Sequence, residues 1–88
     1  MAYHKSALKQ HRQETERRQR NRHHRTRMRN AVKKLRRMLA GGDADSAQQL
    51  LPTTLAIVDH TAKLGAIHDK AAARTKSSLT RALNRLGA

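Results

Sequence analysis

Eighty-eight residues with twenty Lys and Arg against six Asp and Glu, a net charge of +14, make one small domain with far more charge than solubility needs; the surplus points to a polyanionic partner. The lack of Cys excludes disulfides and thiolate metal sites, and Tyr3 as the single Phe, Trp or Tyr argues against reading single strands by base stacking. No apolar run approaches a membrane span and no secretory h-region stands out, so the expected setting is cytosolic.

The charge is uneven. Residues 1–40 hold fourteen basic and two acidic side chains, residues 41–69 one basic and four acidic, and residues 70–88 five basic and none acidic. Hydrophobic residues are 36% of the chain, mostly Ala and Leu, which favours helix. The core must be small, so marginal stability is expected for the free protein.

Gly41-Gly42 and Gly65 divide the chain into three helix-compatible blocks. The first, Ser6 to Ala40, contains no Gly or Pro; Ser6 is a plausible N-cap and Gly41 a natural C-cap. Met28, Ala31, Val32, Leu35, Met38 and Leu39 form one apolar stripe along its second half. From Lys9 to Arg27 there is no apolar residue at all.

In the second block Asp43, Asp45 or Ser46 can cap the start, and acids suit a helix N-terminus. Ala47, Leu50, Leu51, Leu55, Ile57, Val58, Ala62 and Leu64 give a broad apolar face. Pro52 removes one helical hydrogen bond, and a kinked helix is the expected accommodation. The third block is amphipathic: Ala72, Thr75, Leu79, Ala82, Leu83 and Leu86 share one side, with Lys70, Arg74, Ser77, Arg81 and Arg85 opposite.

Three helices, about 6–40, 44–64 and 69–86, predict an all-α, antiparallel three-helix bundle spanning residues 1–88 as a single domain. A first helix of roughly 50 Å against partners of roughly 30 Å cannot be covered along its whole length, so its N-terminal half should overhang the bundle.

Projected at 100° per residue, Lys9, Arg12, Arg17, Arg18, Arg20, Arg22, Arg25, Arg27 and Arg29 point in every direction. A membrane-surface helix needs an apolar face opposite its charge, and none exists here. Charge on all sides suits insertion between phosphate backbones, and the planar fork of Arg suits bidentate phosphate contact. The plainer alternatives are a solvated charged face or a disordered tail. Glu14–Arg18 and Glu16–Arg20 are favourable i,i+4 pairs, while Arg18–Arg22 and Arg25–Arg29 repel. Residues 5–25 are therefore expected to fray in the free protein and to order on the polyanion.

No HxxxH spacing occurs among the six His, so no metal and no cofactor are expected. Asp59-His60 and His68-Asp69 have no nucleophile nearby and there is no Gly-rich phosphate loop, so an enzyme with a small-molecule substrate is not expected. Asp59 should pair with Lys63 at i,i+4. A basic-region zipper would also join a basic helix to an apolar stripe, but this stripe ends at Gly41-Gly42 in under two heptads. DNA binding, as a nucleoid-type or basic-helix protein, stays as the alternative, with a protein-interaction bundle as a third class.

The residues also resemble a known family. "SALKQHRQ" is similar to a Ser-Ala-x-Lys-x-x-Arg-Gln opening at Ser6, Ala7, Lys9, Arg12 and Gln13, "RRQRN" to Arg-Arg-x-Arg-Asn at Arg17, Arg18, Arg20 and Asn21, and "AVKK" follows at Ala31 to Lys34. The long segment from Ile57 to Leu86 resembles an Ile-x-Asp … Lys-x-Gly-x-Ile-His … Ala-x-Arg-x-Lys-Ser-x-Leu signature. It falls on Ile57, Asp59, Lys63, Gly65, Ile67, His68, Ala72, Arg74, Lys76, Ser77 and Leu79. Lys70, Ser78, Gln10 and Gln19 depart from the usual pattern. The resemblance is to the small-subunit ribosomal protein S20 family of bacteria and chloroplasts.

What the resemblance implies is a three-helix protein that binds 16S ribosomal RNA early in assembly of the 30S subunit, touching the 5′ domain and the long helix of the 3′ minor domain. The implied location is ribosome-bound in the cytoplasm, or in the stroma for a plastid protein. With the charge pattern, the expected rRNA-binding residues on the first helix are Lys5, Ser6, Lys9, Arg12, Arg17, Arg18, Arg20, Asn21, Arg22, Arg25, Arg27, Arg29 and Lys33. Those on the third are His68, Lys70, Arg74, Lys76, Ser77, Arg81 and Arg85.

Overall fold

The structure, a computed structural model, describes residues 2–87, with side chains from Ser6 onward. Its elements are α1 (Ala2–Ala40), α2 (Ala44–Lys63) and α3 (Asp69–Gly87), joined by two short connections. α1 begins four residues before the expected start, so Ser6 lies within the helix and not at its cap. Nothing in Ala2 to Lys5 breaks a helix: there is no Gly or Pro, and Ala and Lys are good helix formers.

Both connections follow one hydrogen-bonding scheme. After Ala40, Gly42 adopts φ 77°; its N–H donates to Leu39 O (3.2 Å), and the Asp43 N–H donates to Met38 O (3.0 Å). After Lys63, Gly65 adopts φ 78°; its N–H donates to Ala62 O (2.9 Å), and the Ala66 N–H donates to Thr61 O (3.1 Å). These are Schellman closures, and they need a residue at ease in the left-handed region. Gly41 is the C-cap as expected, while Gly42 takes the left-handed turn. Asp43 then caps α2, its Oδ1 accepting from the Ser46 N–H (3.2 Å), so one residue ends one helix and starts the next.

α2 is the central element: α1 and α3 both pack on it and touch each other only marginally. Leu35, Ala47 and Val58 are completely buried, with Val32, Ala72 and Leu79 around them and Met28, Met38, Leu39 and Leu83 packed at the edge. The buried stripe of α2 is Ala47, Thr54, Val58 and Thr61. The two threonines do not appear in the apolar face read from the sequence. They are tolerated because each hydroxyl donates to the carbonyl one turn back, Thr54 to Leu50 O (3.1 Å) and Thr61 to Ile57 O (2.7 Å). Leu64 and Leu86, expected on apolar faces, are exposed instead, because each sits at a helix end beyond its neighbour's cover. α2 runs through Pro52 without a break, starting well before it; the carbonyl of Gln48 loses its usual helical donor there.

Lys76 Nζ lies 2.7 Å from Asp59 Oδ1, tying α3 to α2. Asp59 therefore pairs across the helix interface and not with Lys63, because antiparallel packing brings α3 alongside. The bridge is partly exposed and contributes a few tenths of a kcal/mol at most. Glu14–Arg18 and Glu16–Arg20 do not close within salt-bridge distance, and Asp59–Lys76 is the one ion pair among the described residues. On a fully exposed helix, side-chain entropy and water outweigh such contacts.

Candidate nucleic-acid interface

The molecule measures 66 × 19 × 15 Å, and α1 sets the long dimension: its 39 residues span about 58 Å. α2 returns along α1 for about 30 Å. Its far end is marked by His60, whose ring meets that of His24 edge to face, centroids 6.2 Å apart at 87°. His23 stacks edgewise on His24 at 5.7 Å. Cover on α1 thus begins at Asn21 to His24, one to two turns earlier than the Met28 start of the apolar stripe suggested. From Ser6 to Arg20 every residue is exposed. Residues 6–20 form an exposed rod of about 22 Å.

The expected contact residues fall into distinct settings. Lys9, Arg12, Arg17, Arg18 and Arg20 are exposed on the rod, as is Ser6, and the Lys5 side chain lies outside the described residues. Arg22, Arg27, Arg29 and Lys33 are exposed along the docked half, while Asn21 and Arg25 are half-buried against the bundle. On α3, Lys70, Arg74, Arg81 and Arg85 are exposed, whereas Lys76 and Ser77 are half-buried and Lys76 is engaged by Asp59. His68 has a second role: its Nδ1 accepts the Lys70 N–H (3.1 Å), and its carbonyl accepts the Ala72 N–H (3.1 Å), so it caps α3. Only the rest of its ring is available to a ligand.

The structure extends the expected Arg29 and Lys33 into a wider basic surface with Arg36 and Arg37. Because α1 and α3 barely touch, a groove stays open between them, where Arg29, Lys33, Arg36 and Arg37 stand over Met28 and Val32. The signal was present: offsets of 4, 7 and 8 from Arg29 place all four cations on one helix face. Among the described residues no three His, Asp or Glu side chains gather where a metal could sit, and no helix is long and apolar enough to cross a membrane.

Order in the rod must come from local bonds alone, such as Thr15 Oγ1 donating to His11 O (2.9 Å). An isolated helix of this length is marginal in water. Amides of residues 6–20 are expected to exchange rapidly in the free protein and to become protected on RNA. Strong protection of these amides in the free state would contradict that.

A small helical core and an exposed rod carrying cations around its axis define a basic helical protein whose distinctive feature is a charged surface. A sequence profile of the family described as "Ribosomal protein S20" matches residues 2–84. The chain is 46% identical over 88 residues to the small ribosomal subunit protein bS20 of Desulfovibrio desulfuricans, covering 100% of this chain and 99% of that one. It is 47% identical over 85 residues to the bS20 of Solidesulfovibrio magneticus, covering 97% and 96%. It is 41% identical over 86 residues to that of Syntrophobacter fumaroxidans, covering 98% and 100%. The chain belongs to the ribosomal protein S20 family, a family of ribosomal structural proteins and not of enzymes.

Proposed function

We propose that the protein is a structural constituent of the small (30S) ribosomal subunit in the bacterial cytoplasm, that it binds 16S ribosomal RNA directly, and that it supports early subunit assembly. The observation that carries this is the N-terminal half of α1: exposed from Ser6 to Arg20 and carrying cations around its axis. RNA phosphates on several sides complete such a surface. The exposed Lys70, Arg74, Arg81 and Arg85 on α3 supply a second contact. Binding energy comes mainly from counterion release. Selectivity comes from RNA shape and from the spacing between the two surfaces, since side chains cannot read the deep groove of A-form RNA.

Competition between 16S rRNA and duplex DNA at equal salt tests the reading. The rRNA is expected to win, with about eight phosphates engaged and affinity falling by roughly four orders of magnitude between ~50 and ~200 mM salt. Equal or tighter binding to duplex DNA would favour the DNA-binding alternative.

A further inference from the structure

At the point where the rod leaves the bundle, α1 and α2 form a groove lined by His24, Arg27, Thr53 and His60 together with Ala56, Ile57 and Thr61. His24 and Arg27 are three residues apart on one face of α1, and Thr53 and His60 seven apart on one face of α2, so each pair is aligned by helix geometry. His24 is half-buried; Arg27, Thr53 and His60 are exposed. Three potential cations thus converge from two helices.

No carboxylate lines this groove. The groove between α2 and α3 is different: there Lys63 and Lys76 are accompanied by Asp59 and Asp69. The charged and titratable groups around His24 on the α1 side are His23, Arg20 and Glu16, which share a neighbouring surface depression. On α2 the residue next to His60 is Asp59, and its carboxylate is drawn to Lys76 on α3. No residue of α3 lines the groove.

We propose that this groove is a phosphate-binding clasp for an RNA backbone, in which His24, Arg27 and His60 hold one phosphodiester at the junction of rod and bundle. The proposal rests on the rRNA-binding reading above and adds to it a contact from α2, which the charge pattern leaves out. An RNA strand following the flank of the rod passes this junction. Arg27 supplies a fixed charge. The imidazoles become cationic donors when protonated, and a bound phosphate favours that form. Affinity is therefore expected to rise as pH falls.

The test is equilibrium binding of the full chain to 16S rRNA at fixed ionic strength between about pH 6 and about pH 8, the range over which imidazole titrates. The unsubstituted chain is expected to bind about ten-fold tighter at the acid end, a slope of roughly half a proton per pH unit. H24Q/H60Q should lose most of that slope and bind more weakly at about pH 6. H24R/H60R, with fixed charge, should bind tightly at both ends with little slope. Circular dichroism should show unchanged helicity for both variants, since neither side chain is in the core. An H24Q/H60Q variant with the original affinity and slope overturns the clasp. If R17A/R18A/R20A is weakened in the same assay, that result leaves the rRNA-binding reading standing. If the unsubstituted chain fails to prefer 16S rRNA over duplex DNA, that reading falls and the clasp falls with it.

Discussion

Replacing Arg17, Arg18 and Arg20 together by alanine is expected to weaken 16S rRNA binding about a hundred-fold at ~150 mM salt, because each lost phosphate contact removes roughly a factor of five there. All three side chains are exposed and lie outside the bundle's cover, which begins at Asn21 to His24. Alanine is the best helix former, so helicity should hold or rise, and the thermal midpoint of the bundle should not move. The salt dependence adds an independent check: the log–log slope should fall by about 2 to 3, one ion for each lost contact. Unchanged affinity at that salt would remove the rod from the interface. An affinity loss with an unchanged salt slope would mean the arginines act through helix structure and not through phosphates.

The rod was legible because its signal is an absence. A helical stretch with nothing apolar has no stripe to bury in a protein core, and from Lys9 to Arg20 the structure leaves it exposed; only its last turns, from Asn21, come under the end of α2. The three helices were legible for the opposite reason: apolar periodicity and paired glycines leave few alternatives. What the sequence could not give was register between helices. Asp59 reads locally as a partner for Lys63, and only the packing of α3 on α2 brings Lys76 within 2.7 Å of it. His24 and His60 are thirty-six positions apart, and their contact depends on how far α2 returns along α1. The signature that carries the resemblance includes His68 but not its local role, in which Nδ1 accepts the Lys70 N–H. The open α1–α3 groove follows from α2 standing between its neighbours, a choice that amphipathic patterns alone do not determine.

Leu35→Ala is the substitution expected to cost most stability. Leu35 is the largest fully buried side chain of α1 and belongs to the cluster that joins all three helices. Truncation removes three methyl or methine groups from a site closed on all sides, at about 2–5 kcal/mol. A bundle this small has little in reserve, with total stability on the order of 5 kcal/mol. The thermal midpoint should therefore fall by roughly 8–40 °C, at about 4–8 °C per kcal/mol for a domain of this size. Leu8→Ala is the internal control: Leu8 is 68% exposed on the rod, and its loss should change stability by less than ~0.5 kcal/mol. The two leucines also separate folding from binding. If, as proposed, rRNA binds the folded chain more tightly than the equally charged unfolded one, saturating rRNA should restore part of the midpoint lost in Leu35→Ala by mass action. A Leu35→Ala midpoint within a few degrees of the original would mean that α1 is not held to the bundle by this cluster. The rod would then lack the fixed base that its reach toward RNA requires.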